Sequence, residues 1–148
     1  MGRGAILAKS YRKLTGKTFA KFVKKQFPAL LKRCEMSGQS RLFLQDGDPS
    51  QNSERVRNAL RDMNVTIFNI PPRSPDLNPI ENVFKLLTDT LRRDALENNI
   101  EVETFRAFRR RVISTLMAIP CEIIDNIIVS MPKRIDSIIQ SKGGRLKY

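Results

Sequence analysis

The chain has 148 residues, 41% of them hydrophobic and 28% charged, values that fit one globular domain and not a disordered chain. Its formal net charge of +12 points to a polyanionic partner, because summed lysines and arginines neutralise phosphates and steer association. The absence of histidine excludes zinc fingers and His-dependent catalysis, and two scattered cysteines, Cys34 and Cys121, cannot form a disulfide framework.

The start, MGRGAILAKSYRK, lacks the apolar core of a signal peptide, and no apolar run approaches a membrane span. A soluble, intracellular protein in a reducing compartment is expected. Residues 1 to 41 carry eleven Lys or Arg against one acid, Glu35. Within them TGKTFAKFVKKQFPALLKRC places Phe19, Phe22, Val23, Phe27, Leu30 and Leu31 at helical spacing, predicting a helix with one apolar and one basic face. Pro28 should kink or interrupt it.

RLFLQ, residues 41–45, then reads as a buried strand, and SERVRNALRDM as a helix with Val56 and Leu60 in register and Ser53 as N-cap. VTIFNI is a second strand, ended by Pro71 and Pro72. The clearest helix is NPIENVFKLLTDTLRRDAL, with Pro79 at its first position and an apolar stripe of Ile80, Val83, Phe84, Leu87 and Leu91. Two further helices are expected over roughly 102–118 and 121–141, parted near Pro120. Their stripe of Ile123, Ile124, Ile127, Ile128 and Met131 is read as core. Strand–helix–strand–helix with short connections predicts an α/β layer with a parallel strand pair.

In such sheets ligands bind beyond the carboxyl ends of the strands. Asp46 follows the first strand, and Glu81 opens the helix after the second, so both are expected to face one rim. Two structural accounts compete with a functional one. Asp46-Gly47-Asp48-Pro49 is a good turn sequence, and Asn78 with Glu81 has capping-box spacing. The functional account is a metal site: with no histidine, any ion must be held by oxygen, and Mg²⁺ prefers carboxylates and keeps several waters.

FLQDGDPSQNS followed by IPPRSPDLNPIENVFKLL resembles the catalytic domain of mariner-type (Tc/mariner superfamily) DDE transposases. The resemblance implies an α/β, ribonuclease H-like fold, Mg²⁺ or Mn²⁺ as cofactor, and DNA strand cleavage and transfer on transposon ends and target DNA. It implies Asp46 and Glu81, with 34 residues between them, as the second and third metal-binding acids. Asp48 and Asp76 become motif companions, not ligands. Where many members carry a Lys-His pair, this chain has Ser50 and Gln51. A nuclear location also follows from the resemblance.

The family's triad begins with an Asp on the first strand, yet residues 1–45 contain no aspartate. The expected architecture is therefore a truncated ribonuclease H-like domain over 1–100, beginning in the third strand at GAILAKSY, with a C-terminal helical extension over 101–148. The strand at 41–45 would lose a neighbour and leave an apolar edge, inviting aggregation or a second polypeptide that supplies the missing strands. The chain alone is expected to be inactive. The alternative is a catalytically dead module holding nucleic acid through phosphates, with Lys21, Lys24, Lys25, Arg73, Arg92 and Arg93 as contacts. Arg109, Arg110 and Arg111 fall on successive helix positions and cannot all face one duplex.

Overall fold

The apolar spacing of residues 16–33 produces one helix, α1 (Gly16–Arg33), in a computed structural model that describes residues 6–33, 41–45, 47–72 and 74–143. Of the kink or interruption expected at Pro28, the interruption does not occur: Pro28 lies inside α1. Its missing N–H would have bonded to the Lys24 carbonyl, and both residues are exposed. Ala20, Val23 and Phe27 are buried on the opposite face.

Two parallel strands follow, β1 (Arg41–Gln45) and β2 (Val65–Asn69), joined through α2 (Glu54–Arg61). Register runs from Arg41 opposite Val65 to Gln45 opposite Asn69, and the Ile70 amide extends it by donating to the Gln45 carbonyl at 3.2 Å. Helix α2 buries Val56, Ala59 and Leu60, one helical face. Ser53 occupies the N-cap with extended backbone, but its hydroxyl makes no capping bond; it is buried without a hydrogen-bond partner. The cause is close packing: a Cβ added to Gly16 would overlap the Ser53 side chain, coming within 2.6 Å of its Cβ. Glycine is what lets the start of α1 approach that of α2.

These elements form one compact unit whose core joins Ala20, Val23, Phe27, Val56, Ala59, Leu60 and Val65. Phe43 packs edge-on against Phe27 at 5.2 Å between centroids. Side chains alternate along a strand, so Leu42 and Phe68 lie on the face opposite Phe43 and Ile67, and they are 63% and 57% exposed. RLFLQ is thus not a buried strand: only Gln45 is buried, and an apolar face is open.

A second unit contains residues 6–8 and everything from Pro79 onward that is described. Residues 6–11 of the expected third strand have no regular structure, and its residues 4 and 5 lie outside the described part. Helix α3 (Pro79–Glu97) buries Val83 and Leu87, whereas Ile80 and Phe84 of the same stripe are exposed. Helix α4 (Phe105–Met117) starts at Thr104, whose hydroxyl accepts the Ala107 amide at 3.2 Å. The single helix expected over 121–141 is two: α5 (Cys121–Val129) and α6 (Met131–Gln140). Pro132 sits in the first turn of α6, where its missing donor costs nothing. Helix α5 packs on α3, and α6 on α5. No residue of α4, α5 or α6 is buried, so the isoleucine stripe is not a sealed core; Ile128 is exposed and Ile124, Ile127 and Met131 are half-buried. Among the described residues no single helix is long and apolar enough to cross a membrane.

Candidate functional site

The turn after β1 is built by its own polar groups. Gln51 and Asn52 donate their amides to the Asp48 carbonyl, both at 3.0 Å. Ser50 donates through its hydroxyl at 2.6 Å and its amide at 2.7 Å to Asp48 Oδ1. Those two bonds favour the ionised form and hold the Asp48 carboxyl below the usual carboxylate range. Ser50, which stands where many mariner-type members have lysine, thus has a local task. Asp48 Oδ1 is engaged within the turn.

Gln45 ends β1 at 3% exposure and donates Nε2 to Asn52 Oδ1 at 2.6 Å. Asn52 in turn donates Nδ2 to the Asp48 carbonyl at 3.1 Å, and its own carbonyl accepts from Arg57 at 2.8 Å. The turn is therefore anchored to β1 at one end and α2 at the other. Asp46 itself lies outside the described residues, and so do Cys34 and Arg73.

Glu81 is exposed in the first turn of α3, where the helix macrodipole favours negative charge. The capping box does not form in the expected way. The Asn78 amide that Glu81 would accept donates instead to the Pro75 carbonyl at 2.9 Å, closing a short 3₁₀ turn (Pro75–Leu77). That turn carries Asp76. The next residue, Asn82, is half-buried and accepts at Oδ1 from Arg134 of α6 at 2.6 Å. No sequence signal links residues 52 positions apart, and this tie was not foreseen.

Among the described residues no three His, Cys, Asp or Glu side chains gather into a metal-holding group. The donors available on the two motifs are carboxylate oxygens, which suit a hard divalent cation.

Lys21, Lys24 and Lys25 are exposed on α1, away from its buried stripe, and Arg92 and Arg93 are exposed on α3. Arg111 is set apart from its neighbours. It pairs with Asp94 at 3.1 Å and with Glu103, and donates to the Leu91 carbonyl at 3.0 Å. The Glu103 bond is the main reason its guanidinium is held protonated above its ordinary range. Arg109 and Arg110 remain exposed.

A profile of the DDE superfamily endonucleases matches residues 1–103. The Tcb2 transposase of Caenorhabditis briggsae is 32% identical over 111 residues, covering 75% of this chain and 38% of that protein. The Tc1 transposase of Caenorhabditis elegans gives the same identity and coverage. The chain thus spans well under half the length of these curated relatives. The catalytic domain of Mos1 mariner transposase superposes with a TM-score of 0.74 at 19% identity, covering 96% of this chain and 69% of that one. A pre-cleavage Mos1 transpososome gives 0.75 at 18% identity, covering 96% and 41%. Further Mos1 structures hold Mn or Mg, and one holds the left transposon end. At such identities the likeness is one of fold, and it agrees with the parallel strand–helix–strand unit and the helices that follow. With the profile spanning both acidic motifs, this chain belongs to the DDE superfamily endonucleases.

Proposed function

We propose that the chain is part of a transposase catalytic domain whose chemistry is DNA strand cleavage and transfer. Residues 1–100 form the incomplete ribonuclease H-like part and 101–148 its helical extension. Asp46 and Glu81 supply two of the three metal-binding acids. The observation that supports this most is the family match across residues 1–103, a span that includes both motifs, one following β1 in sequence and one in the first turn of α3.

Asp46 and Glu81 would hold Mg²⁺ or Mn²⁺ through carboxylate oxygens, leaving positions for water and a phosphate oxygen. Bound there, such ions activate an attacking oxygen and stabilise the leaving one. The protein's own part is placement: Asp48 ties together residues 48–52 of the first motif, and α3 presents Glu81 to solvent. With no aspartate in residues 1–45, the first acid and its strand must come from elsewhere, either from an adjoining segment or from a second polypeptide. The strand that carries that acid would pair along the free edge of β1. The DNA partners are transposon ends and target DNA, with nuclear location a consequence.

A nicking assay on transposon-end DNA with Mg²⁺ tests this. The chain alone leaves the DNA intact. Joining it to an upstream segment with an aspartate-bearing first strand restores nicking, and Glu81→Gln abolishes it again. Nicking by the chain alone, lost in Glu81→Gln, overturns the incompleteness; restored nicking that survives Glu81→Gln overturns the site.

A second reading is favoured by one observation, the exposed lysines of α1. Lys21, Lys24 and Lys25 lie on its solvent face, suited to phosphates without sequence readout. With Arg73, Arg92 and Arg93 they form the contacts of a nucleic-acid-binding remnant. Its affinity would fall steeply with salt and ignore Mg²⁺.

A further inference from the structure

We infer that Asn82 and Arg134 are a pair of positioning residues through which α6 sets the helical turn that carries Glu81; the inference rests on Glu81 being a metal ligand. Three observations carry it. The Arg134 guanidinium donates to Asn82 Oδ1 at 2.6 Å, a short, charge-assisted bond between half-buried side chains. Asn82 follows Glu81 directly, and successive helix positions point about 100° apart, so Asn82 can face α6 while Glu81 stays exposed. Pro79, at the first position of α3, has no N–H, and the Asn78 amide donates back to the Pro75 carbonyl.

Terminal turns fray because their first amides have no intrahelical partner. A carboxylate on a fraying turn samples many positions and binds a cation weakly. Groups that orient a ligand's support are worth about tenfold or more in metal affinity. Helix α6 carries neither of the two proposed ligands. Its task is to hold the turn through Asn82, which gives the C-terminal helices a role in the site.

The sign of the effect separates positioning from charge. Arg134 is a cation near a proposed cation site, so by Coulomb's law alone its removal would tighten metal binding. Positioning predicts the reverse.

The test is Mn²⁺ binding to the full chain, followed by the electron paramagnetic resonance of the free ion, with circular dichroism confirming that each variant folds. Glu81→Gln should remove most binding. Asn82→Ala, which changes no charge, and Arg134→Gln should each weaken it by about tenfold. The double variant should be no weaker than either single one, and Arg134→Lys, which keeps charge and a donor, should recover most of the loss. Amide exchange at residues 82 and 83, the first whose amides the helix can bond, should quicken in the two weakened variants and not in Arg134→Lys. If Asn82→Ala binds Mn²⁺ normally while Glu81→Gln does not, positioning is overturned and the ligand reading stands. Tighter binding in Arg134→Gln likewise overturns it. Normal binding in Glu81→Gln overturns the ligand reading, and the inference with it.

Discussion

The two compact units bury their side chains in different ways. In the first, Val23, Val56 and Leu60 are sealed at 0% exposure between α1, α2 and the strand pair. In the second, only Val83 and Leu87 are buried among the described residues, and α4 to α6 contribute none. Polar ties do more there: Arg111 to Asp94 and Glu103, and Arg134 to Asn82. The first unit is held by packing, which is hard to adjust. The second is held partly by specific hydrogen bonds, each of which fixes one place, including the turn that carries Glu81.

The largest expected effect follows from the sealed core. Leu60→Ala should destabilise the chain by about 2–5 kcal/mol, the usual range for a leucine truncated in a close-packed interior. Urea unfolding measures it, and a loss below 1 kcal/mol would mean that the core is not sealed. Gly16→Ala comes next. Its methyl would overlap the Ser53 side chain, and overpacking of this kind costs about 1–3 kcal/mol. An unchanged melting midpoint would show that the helix starts are farther apart.

Arg111→Ala acts on the second unit, leaving Asp94 and Glu103 side by side without their cation. Hydrogen exchange should quicken in α4 and the end of α3 while α1 and α2 keep their protection. Equal loss in both units would contradict the division. The smallest effects belong to the open apolar surface. Phe68→Lys and Ile139→Lys, both at exposed positions, should shift stability by no more than about 0.5 kcal/mol and raise solubility. A large loss from Phe68→Lys would mean that this face is covered in the working protein.

The two prolines show what was legible in the sequence and what was not. Pro28 was expected to kink or interrupt a helix and does not interrupt it; Pro132 drew no break and marks one. An unbroken helix would carry a similar penalty for either proline, so packing decides. Val23 and Phe27 before Pro28, and half-buried Leu31 after it, are fastened to the core, and that anchoring outweighs one lost hydrogen bond. Around Ser130 no side chain is buried, so nothing opposes a new helix start that puts Pro132 in a first turn.

The strand–helix–strand unit was legible because each piece has its own period and turn residues, and the acidic motifs because they are contiguous strings. The burial of Gln45 and its bond to Asn52 were not, because an amide at a strand end looks like surface. Nor was the tie from Arg134 to Asn82, since pairing across 52 positions depends on how α6 folds back. Short-range chemistry could be read directly; long-range polar contacts could not.

The central claim is that Asp46 and Glu81 share one cation. A double-mutant cycle on Mn²⁺ affinity, with Asp46→Asn, Glu81→Gln and both together, tests it most directly. If the two carboxylates grip one ion, either single change should remove nearly all the affinity that the double change removes. Independent, additive losses, or full binding after either substitution, would contradict the account.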